Sequence, residues 1–240
     1  MRVSPLWRAA AGGLNEAFLR CLVGQHTRLS QDHLTPELAL HLITPACHLW
    51  HSTVENSPLD DPFWAFYWPG GQALTRYILD NPKLFHGKTV LDVGSGCGSA
   101  AIAAVSVGAS EAVANDIDPV AEIAIKMNME KNGVIVKPDT RNYLASKSTQ
   151  LQDTSKIDII LIGDMFYDPN FAHLISNWLQ SIHPSSMVLI GDPGRHSFKQ
   201  HPLHSSLKLL HRYKLKKTSQ LENNGLTEAG VWMFNRLHKV

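Results

Sequence analysis

The sequence is poor in the features that mark several classes of protein. Its 240 residues contain only three cysteines, too few and too scattered for a disulfide framework or a zinc site: Cys21, Cys47 and Cys97. None of the thirteen histidines has a cysteine or carboxylate at ligand spacing, so we expect no metal. No apolar run approaches the ~20 residues that a membrane span needs. The net charge of +1 offers no general attraction to nucleic acid or a membrane surface, and we expect neither as a partner.

The remaining composition suits one folded domain with a distinct N-terminal segment. Apolar residues make up 44 %, enough to bury a sizeable core, and we expect a monomer. Residues 1–31 carry four arginines and one acid, Glu16, with no lysine. An amphipathic, arginine-bearing start is typical of a mitochondrial presequence, and the alternative is a disordered arm or a surface helix. We therefore predict a presequence-like arm over 1–32, cleaved between Cys21 and His33, and a domain over 33–240.

The pattern after residue 87 predicts an α/β fold. Short apolar segments alternate with helical segments of about 10–15 residues, which is typical of βαβ units on a parallel sheet. The predicted strands are 88–93, 111–115, 134–137, 157–163 and 186–191, and the predicted helices are 98–107, 119–131 and 170–182. Two strand-like segments, 213–219 and 230–235, predict a C-terminal antiparallel hairpin. Residues 33–87 predict a helical cap, with helices over Glu37–Ile43 and Gln72–Leu79.

The most informative segment is V-L-D-V-G-S-G-C-G, from Val90 to Gly98. An apolar strand ends there in a glycine-rich turn, and small residues typical of a helix follow. The next strand ends in Asp116, which could accept hydrogen bonds from both hydroxyls of a ribose. These features indicate a nucleoside ligand. The alternative for the glycines is an ordinary tight turn.

The ligand does not fit the dinucleotide pattern. That pattern needs its third glycine at position 99, where this chain has Ser99, and Asp92 would repel a pyrophosphate. An acid before the turn suits instead a ligand that carries an ammonium and a sulfonium. The pattern D-x-G-x-G-x-G followed by Asn115-Asp116 resembles the seven-strand S-adenosylmethionine methyltransferases. This resemblance implies a Rossmann-like, mostly parallel sheet and a cofactor, S-adenosyl-L-methionine, bound by Asp92, Gly94, Ser95, Gly96, Gly98 and Asp116.

Two strand endings beyond this turn supply further candidates. Asn142, after the third predicted strand of the sheet, could contact the adenine edge or could cap its own backbone. The fourth predicted strand of the sheet ends in Asp164-Met-Phe-Tyr167. We predict that Asp164 and Tyr167 are the catalytic pair. An acid and a phenol there can orient an amine in line with the sulfonium, whereas the alternative for Asp164 is a helix cap before Pro169. Nucleic-acid amino-methylating members of the superfamily carry Pro-Pro between acid and aromatic, so Met165-Phe166 disfavours a nucleobase acceptor.

Together these motifs resemble the lysine methyltransferases marked by an acid-x-x-aromatic motif, over roughly residues 34–237. The matching segments are Tyr67–Gly71, Val90–Gly98, Asn115–Pro119, Gly163–Asp168 and Gly191–Arg195. Within that group the chain is similar to the mitochondrial enzymes that act on the β-subunit of electron transfer flavoprotein. The resemblance implies a protein-lysine N-methyltransferase of the mitochondrial matrix with that subunit as its protein substrate. It also implies that Trp68 lies over the cofactor, the alternative being packing within an aromatic cluster.

Three other functions stay open on the sequence alone. The chain could methylate another protein or a small molecule. It could be a nicotinamide-dependent reductase, although Ser99 occupies the position of the expected glycine. It could also be a non-catalytic cofactor sensor, against which an intact Asp164 and Tyr167 argue.

Overall fold

The structure, a computed structural model, describes residues 16–51, 59, 61–145, 154–223 and 225–235. Its strands are β1 (Arg28–Ser30), β2 (Leu40–Leu42), β3 (Thr89–Val93), β4 (Glu111–Asn115), β5 (Lys137–Asp139), β6 (Ile159–Gly163), β7 (Met187–Asp192), β8 (Leu207–Lys214) and β9 (Glu228–Phe234). Its α-helices are α1 (Glu16–His26), α2 (Pro69–Asp80), α3 (Pro82–Phe85), α4 (Ser99–Ser106), α5 (Pro119–Lys131), α6 (Pro169–Ser181), α7 (His196–Gln200) and α8 (Lys217–Glu222). Short 3₁₀ turns lie at His48–His51, Phe63–Ala65, Thr154–Lys156 and Pro202–Ser206.

A seven-stranded sheet in the order β5-β4-β3-β6-β7-β9-β8 organises the chain. The pairs from β5 to β7 are parallel, whereas β9 runs antiparallel between β7 and β8. This confirms the predicted fold class, a mostly parallel sheet with an antiparallel C-terminal pair. The chain leaves β3 toward β4 on one side and returns to β6 on the other. Ligands of such sheets bind at this switch point, outside the carboxyl ends of the strands.

The sheet is covered on both faces, as its apolar strands require. In β6 the four residues I-I-L-I are fully buried. Ile159 and Leu161 belong to the core shared with α2 and α4, and Ile160 and Ile162 to the core shared with α6 and α7. Because strand side chains alternate between faces, both layers hold β6 in a single register.

One predicted helix is wrong. Residues 37–43 were expected to be helical, but Leu40–Leu42 is strand β2, paired antiparallel with β1. The hydroxyl, proline and acid at 35–37 form a turn, in which the amide of Leu38 donates to the carbonyl of Thr35. Side-chain amides of Asn132 and Asn128 on α5 then accept hydrogen bonds from the backbone of Ala39 and His41. These tertiary partners outweigh the local helix-start signal.

Other boundaries move by a few residues. Strand β4 and helix α5 begin and end where predicted, whereas β5 covers 137–139 instead of 134–137. The last two strands pair antiparallel as predicted, but β8 covers 207–214 instead of 213–219. Helix α8 lies in the connection between them, so the ending is not a tight hairpin. Strand β8 is an edge strand with largely exposed side chains, which removes the apolar alternation that would have located it.

The N-terminal segment is part of the fold from residue 16. Leu19 and Val23 of α1 are buried against α5 and the turn around Trp64. Arg20 forms an ion pair with Glu130 of α5. The expectation that residues up to 32 lie outside the domain therefore does not hold for residues 16–30. Residues 1–15 lie outside the described part of the chain, so the presequence itself stays a prediction. No helix among the described residues is both long and apolar enough to cross a membrane.

Candidate active site

A turn of three glycines joins β3 to α4 at the carboxyl edge of the sheet. Gly94, Gly96 and Gly98 have φ angles of +67°, +56° and +83°, which residues with side chains rarely adopt. A Cβ atom on Gly98 would lie 3.1 Å from Cγ1 of Ile125, and one on Gly94 would lie against the sulfur of Met165. The backbone conformation thus favours glycine at all three positions, and close packing adds to that preference at Gly94.

The side chains of Asp92 and Ser95 are hydrogen-bonded to each other at this turn. The Ser95 hydroxyl donates a 2.5 Å hydrogen bond to Oδ2 of Asp92, and both side chains are buried. Burial raises the pKa of Asp92 to about 6, and the hydrogen bond from Ser95 opposes that shift. At neutral pH the site therefore presents a carboxylate beneath the turn, which favours a cationic group over a phosphate.

Asp116 follows β4 and is bonded to backbone amides. Its Oδ2 accepts from the amide of Gly96 at 3.0 Å, and its Oδ1 accepts from the amide of Asp118 at 3.1 Å. Burial raises the pKa of Asp116 to about 6, while these two donors lower it. A carboxylate oxygen can accept more than one hydrogen bond. Asp116 is therefore fixed beside the turn with lone pairs left for two neighbouring hydroxyls.

A small cavity opens between this turn and the start of α2. Five predicted cofactor residues line it: Trp68, Asp92, Gly94, Ser95 and Gly96. The other lining residues come from the segment around α2, from the turn, from α4 and from the end of β6: Phe66, Tyr67, Gly71, Leu74, Cys97, Ser99, Ala100 and Gly163. Gly98 precedes the first residue of α4, and Asp116 is bonded to the cavity wall through Gly96.

The structure does not bring Asn142 into this cavity. Its side chain is exposed, and its Oδ1 accepts a 3.0 Å hydrogen bond from the amide of Leu144, two residues on. This is the self-capping geometry that the sequence left as the alternative. The contact with adenine stays a prediction, and it would require this side chain to leave its own turn.

Trp68 lines the cavity from within an aromatic cluster, and its place over the cofactor stays a prediction. Its indole N–H donates to the carbonyl of Phe63 at 2.9 Å, and its ring lies 5.6 Å from that of Phe66. The guanidinium carbon of Arg195 lies 5.9 Å from the Trp68 ring, within range of a cation–π interaction. These contacts hold the ring at the cavity wall, immediately before the first residue of α2.

Asp164 directly follows β6, beside the cavity, and is bonded on both oxygens. The amide of Gly70, in the first turn of α2, donates to Oδ2 at 2.7 Å, and Nε of Arg195 donates to Oδ1. The Asp164 side chain is only 1 % exposed. Burial raises its pKa, and the charge of Arg195 opposes that shift. Asp164 is also the one non-glycine residue with a positive φ, +58°, in the part of the chain that the structure describes.

The sequence left open that Asp164 caps the helix that begins at Pro169. In the structure another residue has this role. Asp168 caps that helix, because its Oδ1 accepts from the amide of Phe171 at 2.9 Å. Asp164 instead accepts from the start of α2, a helix nearly a hundred residues earlier. Its carboxylate therefore joins the cavity wall to the end of β6.

Tyr167 is exposed at the mouth of the site. Its ring is 56 % exposed and stacks on Phe171 at 5.3 Å between centroids. Phe63, also exposed at 63 %, lies nearly parallel to it at 6.5 Å. Exposed aromatic side chains, with a buried carboxylate three residues before Tyr167, suit the methylene chain and cationic end of a lysine.

The sequence did not reveal the close backbone contact between α2 and β7 at this edge of the sheet. Gly70 and Gly191 touch through their backbones, so a Cβ on either would collide with the carbonyl of the other. A Cβ on Gly163 would lie 3.1 Å from the Cα of Gly71. The sequence Pro-Gly-Gly at 69–71, typical of a chain reversal, is here the first turn of α2. Its proline at the first helical position was the available signal.

Comparisons with known proteins agree with this architecture. The family model for ribosomal protein L11 methyltransferase (PrmA) matches residues 73–182. The chain is 45 % identical, over 233 residues, to the electron transfer flavoprotein beta subunit lysine methyltransferase of Mus musculus, a match covering 96 % of this chain and 89 % of that protein. The Homo sapiens protein of the same name is 43 % identical over 95 % of this chain and 86 % of its own length. This chain belongs to the electron transfer flavoprotein beta subunit lysine methyltransferase family.

Solved structures agree on the fold. The crystal structure of SMU.776, a methyltransferase by its description and complexed with SAH, matches with a TM-score of 0.51 at 15 % identity. The match covers 71 % of this chain and 50 % of that one. Membership of the lysine methyltransferase family confirms the predicted activity, S-adenosylmethionine-dependent methylation of protein lysine, and sets the reductase alternative aside. Among the described residues, no cluster of three or more metal-ligand side chains occurs.

Proposed function

We propose that this chain methylates a lysine of the β-subunit of electron transfer flavoprotein, in the mitochondrial matrix. The substrate is supported by the names of relatives that match nearly the whole chain. The observation that carries the mechanism is the position of Asp164 and Tyr167. The buried carboxylate directly follows β6, the exposed phenol is three residues further along the chain, and β6 pairs with β3, the strand that leads into the glycine turn.

The donor side of the site holds the cofactor by its charged and hydroxyl groups. When bound, S-adenosylmethionine would supply a methyl group on a sulfonium: an amine would attack the methyl carbon in line, and the sulfur would leave as a neutral thioether. Asp116 would accept hydrogen bonds from the two ribose hydroxyls, and the glycine turn would admit the ligand without Cβ atoms in its way. Trp68 would cover the cofactor from the start of α2. These roles are supported by the position of Trp68 and the glycine turn in the cavity wall, to which Asp116 is bonded through Gly96.

The acceptor side orients the incoming lysine. Asp164 uses one lone pair of each oxygen for Gly70 and Arg195, so each oxygen keeps a second one for the acceptor amine. Tyr167 and Phe63 would flank the methylene chain and keep water away. Once the ammonium has lost a proton, the remaining hydrogen bond to Asp164 directs the nitrogen lone pair toward the cavity.

A direct assay tests this function. Purified protein is incubated with tritiated S-adenosylmethionine and purified flavoprotein β-subunit, and the labelled product is hydrolysed and analysed for methyl-lysines. We expect label in lysine of the subunit. Ribosomal protein L11 is the matched control substrate, because the family that matches residues 73–182 is named for its methylation. Label in L11 but not in the subunit, or in RNA or lipid of a mitochondrial extract, would contradict the proposed substrate.

The matrix location rests on the N-terminal composition. Arg20 and Glu16 are engaged in ion pairs of the fold, so the import signal would lie within residues 1–15. A cut between Cys21 and His33 would remove Leu19, which is buried in the core. We therefore propose cleavage before Glu16. N-terminal sequencing of the protein from isolated mitochondria checks this, and a mature chain that begins at Met1, or after residue 21, would contradict it.

A further inference from the structure

The segment Gly191-Asp-Pro-Gly-Arg195, which the resemblance includes, enters the function proposed above only as a hydrogen-bond partner of Asp164. It begins with the last two residues of β7, at the same edge of the sheet as Asp164. Oδ1 of Asp192 accepts from the amide of Gly194 at 2.6 Å and from the amide of Arg195 at 2.8 Å. Gly194 adopts a φ of +86°, which reverses the chain. Asp192 therefore shapes a tight turn that ends in Arg195.

The side chain of Arg195 joins two sides of the active site. Its Nε donates to Oδ1 of Asp164, and its guanidinium lies over the ring of Trp68. The Asp164 side chain is 1 % exposed and that of Arg195 is 24 % exposed, so the pair is shielded from water on the carboxylate side. A planar guanidinium can bond a carboxylate and stack on an aromatic face at once, which an ammonium does less well.

The charge balance around Asp164 depends on this arginine. Asp164 faces two charged groups: Arg195, and Asp192 at the end of the neighbouring strand. The start of α2 contributes only the amide of Gly70. Asp192 is fully buried, and its Oδ2 has no hydrogen-bond partner among the described residues. Of these two buried carboxyl groups, Asp164 bonds the guanidinium of Arg195, whereas Asp192 bonds the backbone amide of the same residue. Burial and Asp164 together raise the pKa of Asp192 to about 7.

We propose that Arg195 is a positioning residue for methyl transfer, which keeps the Asp164 carboxylate charged and aimed at the acceptor lysine. This inference rests on the proposed function, because it needs a lysine acceptor at Asp164. Arg195 itself does not contact the reacting atoms. It acts through Asp164, and the Asp192 turn sets its direction.

The consequence is a specific dependence on pH. Without the guanidinium, Asp164 would keep one amide donor and a neighbouring carboxyl group inside a buried site. Its pKa would then rise further, because burial and like charge both favour the neutral form. A neutral carboxyl group holds an ammonium poorly. The loss of activity should therefore be greatest at low pH and should shrink as pH rises.

The experiment compares Arg195→Met, Arg195→Lys and a matched control, Arg212→Met. Arg212 also pairs with a carboxylate, Glu228, but on the exposed edge strand β8. The kcat for methylation of the β-subunit is measured from pH 6 to pH 9, with the donor dissociation constant from calorimetry. We expect Arg195→Met to lower kcat at least tenfold at pH 7 and much less at pH 9, with donor affinity changed only a few-fold. Arg195→Lys should restore the wild-type pH profile in part, and Arg212→Met should match wild type.

Two results would overturn the inference. One is a kcat ratio of wild type to Arg195→Met that is constant across pH. The other is additive effects of Asp164→Asn and Arg195→Met on the free energy of unfolding, since a working pair must be coupled. The double variant also removes the unpaired buried charge that could unfold Arg195→Met. If the wild-type enzyme labels no lysine of the subunit, the proposed function fails, and the unfolding cycle still decides whether Arg195 holds Asp164.

Discussion

Asp116 and Asp164 are both acids that follow a strand at one edge of one sheet, yet they are held in different ways. Asp116 accepts hydrogen bonds from Gly96 and Asp118, the second of these only two residues away. Asp164 is held by Gly70 and Arg195, which lie 94 and 31 residues away in the chain. The donor side is built largely within consecutive βα units, whereas the acceptor side needs three distant segments to meet.

The two sides also differ in which residues adopt positive φ angles. The donor turn places its positive φ angles at glycines, where they cost little. On the acceptor side the positive φ falls on Asp164, and a left-handed conformation costs a residue with a side chain ~1–2 kcal/mol. The amide of Asp164 donates to the carbonyl of Gly191 at 2.8 Å, which helps to hold it there. Such strain is kept where the surrounding structure enforces it, commonly at functional sites.

The largest expected effect is on the acceptor side. Asp164→Asn keeps the shape of the side chain, and asparagine tolerates the left-handed backbone, but the charge is lost. We expect kcat to fall by ~10²–10⁴, the usual effect of losing a group that positions a proton or nucleophile. Donor affinity should change only a few-fold. Single-turnover rates and calorimetry measure the two quantities separately.

Asp168→Asn is the matched control for that variant. Asparagine caps a helix as well as aspartate does, so α6 and the methylation rate should be unaffected. If Asp164→Asn methylates the subunit at a rate near wild type, Asp164 serves only to hold α2 and Arg195, and the contrast between the two acids disappears.

The donor side should respond in affinity instead of rate. Asp116→Ala removes two hydrogen bonds to the ribose, each worth ~1.5–3 kcal/mol when the acceptor is charged. We expect the donor dissociation constant to rise at least tenfold, while kcat at saturating donor falls much less. Asp118→Asn, which preserves the cap of α5, should bind the donor as wild type does. Unchanged affinity in a folded Asp116→Ala protein would remove this residue from the site.

Acid should weaken donor binding before it unfolds the site. Burial raises the pKa values of Asp92 and Asp116 to about 6, and in the proposed site each carboxyl group would have to be ionised to hold its part of the donor. As pH falls from 7 to 5 both become protonated, so the affinity should drop, by up to about tenfold per pH unit for each group well below its pKa. Calorimetry over this range tests it. Asp116→Asn should show a shallower dependence, and an affinity that stays constant down to pH 5 in wild type would be inconsistent with both roles.

The smallest effect is expected at the mouth of the acceptor site. Tyr167→Phe keeps the ring, which stacks on Phe171 and faces Phe63, and removes only the hydroxyl. We expect a loss of a few-fold in kcat/KM for the protein substrate, and a larger loss for Tyr167→Ala, measured as initial rates over a range of subunit concentrations. Equal losses in the two variants would show that the hydroxyl, and not the aromatic face, is what the substrate needs.

Much of the fold followed from local patterns. Helix α5 has its proline at the first helical position and Asp118 as its cap, and it begins and ends where predicted. The error at residues 37–43 arose because local helix-start signals were outweighed by hydrogen bonds from the backbone to the side chains of Asn128 and Asn132. Nothing in the sequence around Leu40 reveals those partners, which lie about 90 residues away.

The sequence predicted only part of the proposed acceptor site. The motif Asp164-x-x-Tyr167 was visible, but the partner that balances its charge was not, because Arg195 follows a different strand. The alternative for Asp164, a helix cap before Pro169, is not observed for a similar reason: its backbone donor is Gly70, not an amide of α6.

The sequence by itself determined the strand–turn–helix unit, the glycines of the donor turn and the acid after β4, because each depends on interactions between neighbouring units of the chain. Only the tertiary structure decided that α1 belongs to the domain, that Leu40–Leu42 is a strand, and that Gly70, Asp164 and Arg195 meet. Their interactions join segments far apart in the chain, and their strength comes from burial. Exclusion of water is what makes a carboxylate depend on one arginine, and water is excluded only once the layers of the fold have packed.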